Sequence, residues 1–247
     1  MPGNEKMCII GFGRMGKRAA QLFSRGFDVA VLSARNVEEE ARTAGAASAD
    51  DPGRAISEAD FLFLALPVEV IWLWVDQINE FSREHCVVMD CCTARIAAES
   101  ELSLVRRQRF GLPELHEGEI PVIGEPEKRI SGYLNQQGYT LWPVTPEDYD
   151  RRGAVVGTAH FLGIALELAL EPAQRILLGE SRAGSFLLQL IEHLKCNSPV
   201  TYRETQLLNP VMAEARKNLI EELRDADREL NNGIFRFEPH PPDSWRP

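Results

Sequence analysis

Hydrophobic residues in this chain fall into short solid runs separated by stretches with a helical period. Met7–Ile10, Asp28–Leu32, Phe61–Leu66 and Cys86–Met89 are almost continuously apolar, the pattern of strands buried on both faces of a parallel sheet. Lys17–Ser24, the segment from Pro52 to Glu58 behind an Asp51 cap, and Val68–Phe81 read as the helices between them, with Pro67 closing the third strand. Strands alternating with helices predict an α/β fold with a doubly wound parallel sheet. Its ligand crevice lies outside the carboxyl ends of the strands, the edge on which Pro67, Asp90 and Thr93 fall. Beyond Arg107 the pattern predicts strands at Arg109–Leu112 and Ile120–Ile123, a helix over Pro126–Gln136, and a last edge strand at Tyr139–Trp142.

Thr145-Pro146-Glu147-Asp148 then marks a boundary: a capping threonine, proline at the first helical position and acids in the first turn. The helix it opens runs to about Leu170 and is nearly all apolar from Ala154, which predicts burial on most sides. Gly153, Gly157 and Gly163 predict close helix packing along it. Helices over Ala183–Lys195, Pro199–Leu208 and Pro210–Leu230 follow, with Ser198 and Asn209 as caps. Met212, Leu219, Leu223, Ala226 and Leu230 form an apolar stripe on the last of them. The expected organisation is a nucleotide-binding domain over residues 1–145 and an all-α domain over 146–247, ending in a Pro-rich tail with Trp245. So small a helical domain, with so apolar a long helix, is expected to complete its core by forming a homodimer through these helices.

The first strand opens into Gly11-Phe12-Gly13-Arg14-Met15-Gly16, a G-x-G-x-x-G turn between strand and helix. Gly11 allows the tight turn, Gly13 lets backbone approach a pyrophosphate, and Gly16 lets helix and strand pack closely. The helix that follows offers unpaired N–H groups to the phosphates. This context predicts a dinucleotide site made by Gly11 to Gly16. After the second strand, where an acid would usually bind the adenosine ribose, the chain reads Ser33-Ala34-Arg35. A hydroxyl and a guanidinium suit a 2′-phosphate, so NADP is the expected cofactor. NAD stays possible because Glu38 is near enough to serve the ribose.

Composition narrows the picture further. With 44% hydrophobic and 26% charged residues the chain is an ordinary globule, and a net charge of −10 argues against nucleic acid as a partner. No segment is long and apolar enough to span a bilayer, and the first residues carry no signal-peptide pattern, so no membrane is expected. Cys8, Cys86, Cys91, Cys92 and Cys196 lack metal-ligand spacing, which predicts no metal site and a reduced, cytoplasmic protein.

Four further segments carry a resemblance. Asp90-Cys91-Cys92-Thr93-Ala94-Arg95 is similar to a D-x-x-S-x-K turn, and Thr145-Pro146-Glu147-Asp148-Tyr149-Asp150 to T-P-E-x-H-D. Thr158-Ala159-His160-Phe161 is similar to a buried T-x-H-F. Ser198-Pro199-Val200-Thr201-Tyr202-Arg203-Glu204 with Asn209-Pro210 is similar to S-P-x-x-Y-x-E-I and N-P. With the glycine loop and Ala65-Leu66-Pro67-Val68, these resemble the prephenate/arogenate dehydrogenase family of tyrosine biosynthesis over roughly Met7 to Leu230.

The resemblance implies NADP-dependent oxidative decarboxylation of a small anionic cyclohexadienol, with Leu66 and Pro67 lining the cofactor side. A histidine base held by a hydroxyl implies His116 paired with Thr93, although the proline that follows the family's histidine is missing here and the spacing differs. Glu114 or His160 are the fallback bases. His160 and Tyr202 are expected on the cleft wall. His193 stands where the family often carries a substrate-binding arginine, and Arg203 or Arg151 could substitute for that charge. Arg95 could reach an anionic substrate from the strand edge. Two alternatives stay open: another NADP reductase of the pyrroline-carboxylate or β-hydroxyacid type, or a degenerate, non-catalytic NADP-binding regulatory protein. The β-hydroxyacid chemistry calls for a lysine on the long helix, and Asp148–Leu170 contains none.

Overall fold

A computed structural model of the chain describes residues 5–116, 118–196 and 202–234. Five strands pair in parallel across its first half: β1 (Lys6–Ile10), β2 (Asp28–Leu32), β4 (Phe61–Leu64), β5 (Val87–Asp90) and β6 (Gln108–Gly111), with the short β3 (Ala47–Ser48) outside β2. The sheet order is β3-β2-β1-β4-β5-β6, so the chain changes direction between β1 and β4. That switch opens a crevice at the carboxyl ends of the two strands.

Alternation along each strand sorts the core into two layers. On one face Met7, Ile9, Phe61, Phe63 and Met89 pack against α1 (Arg14–Phe23) and α6 (Lys128–Gln136), around the rings of Phe23, Phe27 and Tyr133. On the other, Cys8, Ile10, Leu62, Leu64 and Val88 meet α3 (Pro52–Glu58), α4 (Val68–Phe81) and α5 (Arg95–Leu102). The solid apolar runs in the sequence are therefore strands covered on both sides. The short helix α2 (Glu38–Thr43) precedes β3.

The expected edge strand lies elsewhere. Thr140–Pro143 (β8) pairs only with β7 (Glu119–Val122), in a separate two-stranded parallel sheet joined to β6 by one antiparallel bridge, Gly111 to Ile123. Each of these strands contains a proline, Pro121 and Pro143, which has no N–H to extend a ladder.

The second half is helical: α7 (Pro146–Ala169), α8 (Pro172–Gly179), α9 (Arg182–Cys196), a π-helical turn at Glu204–Leu208, and α10 (Met212–Asn231). Thr145 caps α7 as expected, its hydroxyl accepting the Asp148 N–H at 3.1 Å. Gly157 faces Met212 and Thr205, and Gly163 faces Leu190 and Leu194, so both glycines mark close helix contacts. Burial on most sides of α7 is not what the single chain has: Val155, Val156 and Leu168 are exposed, because α9 and α10 cover only part of its circumference. The expected cap Ser198, the start of the Pro199–Leu208 helix and the tail from residue 235 lie outside the described residues. Among the described residues no helix is long and apolar enough to cross a membrane, and no cluster of side chains suits a metal ion.

Candidate active site

The glycine loop sits at the switch between β1 and β4. Gly11 has φ +97°, and a Cβ there would collide with the Ala65 carbonyl. A Cβ on Gly16 would collide with the Gly11 carbonyl, which is the close packing expected of that position. Gly13 has nothing within 4 Å of where its Cβ would be, and it starts α1 with no side chain capping the helix. The loop is thus tight underneath and open above, with the N-terminus of α1 pointing into the open space. Phe12 is buried and anchors the loop, Met15 is half-buried and Arg14 is exposed at its rim. This cradle fits a dinucleotide pyrophosphate.

Arg35 reaches back to the same loop. Its guanidinium donates to the Phe12 carbonyl at 3.3 Å and to both oxygens of Glu40, one at 3.1 Å, while its N–H donates to Ser33 Oγ at 3.4 Å. Lys17 pairs with the same Glu40 carboxylate. Hydrogen bonds from Arg35 and Lys17 hold Glu40 down at about 2. The acid bonded to both cations here is Glu40, while Glu38 is exposed, its backbone N–H donating to Asn36. Two cations converge beside the loop.

At the end of β4, Ala65 supports the loop from below and Pro67 turns the chain into α4. At the end of β5, Thr93 is half-buried and precedes α5. Both points are met by the helical domain. Glu204, only 6% exposed, accepts the Val68 N–H at 2.6 Å and the Thr93 hydroxyl at 3.4 Å. Asp150 of α7 is fully buried and accepts the N–H groups of Arg95 at 2.8 Å and Ile96 at 3.0 Å. Two carboxylates of one domain thus occupy the first turns of two helices in the other, where backbone donors and the helix dipole favour negative charge. Burial raises both acids above their usual range, and these N–H bonds oppose it.

Arg95 does not reach a substrate. Its side chain is 0% exposed and bonds Asp90, Glu99 at 2.9 Å and the Cys92 carbonyl. Burial opposes its charge, and Asp90 overcomes that, so the guanidinium stays charged as a pin for the turn carrying Thr93. Cys91 and Cys92 lie in the same turn as buried free thiols pushed up by burial, which fits packing and not redox chemistry.

The remaining residues fall into three places. His160 on α7 meets the Tyr202 ring edge-on at 5.2 Å, and burial, then the charge of His193, lowers its affinity for protons. His160, His193 and Tyr202 therefore form one group on the helical side. Arg203 pairs with Glu69 at the start of α4. His116 is apart from both: it stands on the exposed loop after β6, 71% accessible, with its Nε2 3.5 Å from Glu114. Glu114 in turn accepts the Tyr149 hydroxyl at 2.7 Å, tying that loop to α7. The expected Thr93–His116 pairing is not formed, because the Thr93 hydroxyl is directed to Glu204.

Sequence reasoning gave no role to Glu40, Asp150 or Glu204. The last two stand inside the quoted motifs, but their partners lie 54 to 136 residues away.

The sheet order, the glycine loop and the helical extension define a Rossmann-type nucleotide-binding fold followed by an all-α domain. Residues 2–70 match the family described as D-isomer specific 2-hydroxyacid dehydrogenase, NAD binding domain. The chain is 22% identical over 255 residues to a probable arogenate/prephenate dehydrogenase of Methanocaldococcus jannaschii; the match covers 91% of this chain but spans about half of that relative, 56% of its length. Prephenate dehydrogenase of Aquifex aeolicus has the same fold, with TM-score 0.73 at 16% identity over 92% of each chain. Synechocystis arogenate dehydrogenase follows with TM-score 0.66 at 15% identity, again over 92% of each chain. The chain resembles the prephenate/arogenate dehydrogenase family along most of its length.

Proposed function

We propose that this protein is a dehydrogenase that oxidatively decarboxylates prephenate or arogenate. The observation that carries the reading is the seating of the helical domain on the carboxyl edge of the sheet. There Glu204 bonds Val68 and Thr93 beside Leu66 and Pro67, and Tyr202, two residues before it, meets His160, which supports a substrate place next to the strand ends. The nicotinamide would accept hydride from the hydroxyl-bearing ring carbon. The protein's part is to orient the ring and take the hydroxyl proton, since loss of CO2 and aromatisation drive the reaction forward. His160, kept neutral by burial, can bond a substrate oxygen without adding charge. His116 is the base in this reading, and seating substrate would have to draw its loop inward through the Glu114–Tyr149 tie.

NADP is the proposed cofactor, supported by Arg35 and Lys17 beside the glycine loop. A 2′-phosphate would replace the Glu40 carboxylate between them. A homodimer through the C-terminal helices is supported by the apolar side chains that α7 to α10 leave exposed, Leu168, Ile176, Phe186 and Leu223 among them. Buried free cysteines support a reducing, cytoplasmic setting.

The test is to follow NADPH absorbance with prephenate and then with arogenate, for wild type and His116→Asn. A base contributes about 10²–10⁴-fold, so the variant should lose about that much kcat and keep its NADPH affinity. Unchanged turnover would exclude His116. The exposure of His116 also favours a second reading, a nucleotide-binding protein without the activity; measurable NADPH binding with silence on both substrates would select it.

A further inference from the structure

Tyr202, Arg203 and Glu204 are consecutive, yet they address three different elements. Tyr202 meets His160 of α7, Arg203 pairs with Glu69 in the first turn of α4, and Glu204 takes the Val68 N–H and the Thr93 hydroxyl. The backbone here winds as a π-helix from Glu204 to Leu208, a form that concentrates at functional sites. Glu204 is buried, although among the described residues no cation is bonded to its carboxylate; a backbone amide and one hydroxyl are its bonded donors. An acid is a costly way to cap a helix from so far along the chain.

The direction of the Thr93 bond gives the acid a purpose. The contact runs from the Thr93 hydroxyl to Glu204, the direction an ionised carboxylate, which can only accept, requires. Its hydrogen is thereby committed, and Thr93 can offer the cleft only lone pairs. Thr93 then accepts a hydrogen bond, from an imidazole N–H or from the hydroxyl of a substrate about to lose its proton. A neutral amide in place of the acid would keep the shape and reverse the polarity: its oxygen would hold the Val68 N–H while its NH2 donated to Thr93, leaving the threonine hydrogen to point into the cleft.

We propose that Glu204 is a positioning residue for the dehydrogenase site, which fixes Thr93 as a hydrogen-bond acceptor and completes the cofactor-side wall at Pro67–Val68 only when the helical domain is seated. This rests on the dehydrogenase reading for its catalytic half and on nucleotide binding alone for the other.

Four variants test it: Glu204→Gln, Glu204→Ala, Thr93→Val and the double variant E204Q/T93V, each checked for folding by circular dichroism. NADPH affinity is measured by fluorescence titration, and kcat and KM with prephenate or arogenate. E204Q should bind NADPH within about twofold of wild type, keep KM, and lose about tenfold or more in kcat. T93V should lose about as much, and the double variant no more than either, because both act through one hydroxyl. E204A, which also drops the Val68 N–H, should bind NADPH about fivefold or more weakly; Glu204→Asp, too short to reach Val68, replaces it if the alanine variant does not fold. Wild-type kcat in E204Q, or additive losses in the double variant, would overturn the proposal and leave the dehydrogenase reading standing. Silence of the wild type on both substrates would end that reading instead. The affinity split between E204Q and E204A would then decide: its presence keeps the positioning role at the cofactor wall, and equal affinities remove it.

Discussion

Gly111 shows how much of this site is set by one missing methyl group. A Cβ at that position would overlap the Arg95 guanidinium, which lies across the end of β6 on its way to Asp90 and Glu99. Gly111→Ala must displace a fully buried charge or shift the strand, at a cost of about 1–3 kcal/mol. Urea unfolding should register that loss, and a stability equal to wild type would show that the guanidinium has room to move. At this scale the sequence was legible where a residue acts on its neighbours. Gly11 makes the tight turn and Gly16 the close packing that their spacing implied, and Gly13 leaves open space above the loop. The sequence was not legible where burial comes from distant elements: Arg95 reads as a cation at a strand edge, and the packing of α7 on α5 and of Gly111 against its guanidinium makes it core. The sequence points to Glu38 as the acid beside Arg35, whereas α2 brings Glu40 to the guanidinium.

Among the elements, those bracketed by strong punctuation match their predicted limits. The helix from Val68 to Phe81 stands between Pro67 and Ser82 and is found over just those residues. The first helix begins three residues earlier than expected, at Arg14, because Gly13 can start a helix without a capping side chain. Helix α8, behind a proline at its first position, escapes a reading that ends the preceding helix at Leu170 and resumes at Ala183. Helix α5 was also unread, and its first turn is completed by Asp150 from 54 and 55 residues away. Asp150→Ala should therefore cost about 2 kcal/mol or more, from a lost cap with one buried and one part-buried donor left without an acceptor. Hydrogen exchange should show the loss as faster exchange at Arg95 and Ile96. Protection equal to wild type there would mean that solvent or another group caps α5 as well.

For the molecule as a whole, the change from a parallel sheet to an all-helical half was legible in the hydrophobic period, and the Thr145-Pro146 cap marked where the long helix opens. What period cannot give is the way the two meet, since that depends on Glu204 and Asp150, polar residues with no periodic signature. Nor can it place what covers the outside of the helical domain. The expectation that α7 is buried on most sides fails in one chain and would hold if a second copy covered Val155, Val156 and Leu168. Sedimentation equilibrium should then give twice the chain mass, and Leu168→Glu should shift it to the single-chain mass with circular dichroism unchanged. A wild type that sediments as a single chain at micromolar concentration would refute the dimer.

The two acids at the domain junction are received by peptide N–H groups, at Val68 on one side and at Arg95 and Ile96 on the other. A socket made of main chain is written into no particular side chain. Any residue except proline presents the same donor, so the nucleotide half can drift in sequence at these positions without losing its hold on the helical half. Beside this main-chain grip the joint also holds the Thr93 hydroxyl and the side-chain pairs Arg203–Glu69 and Tyr149–Glu114, so mutation can loosen it at those side chains and at the two inserting carboxylates.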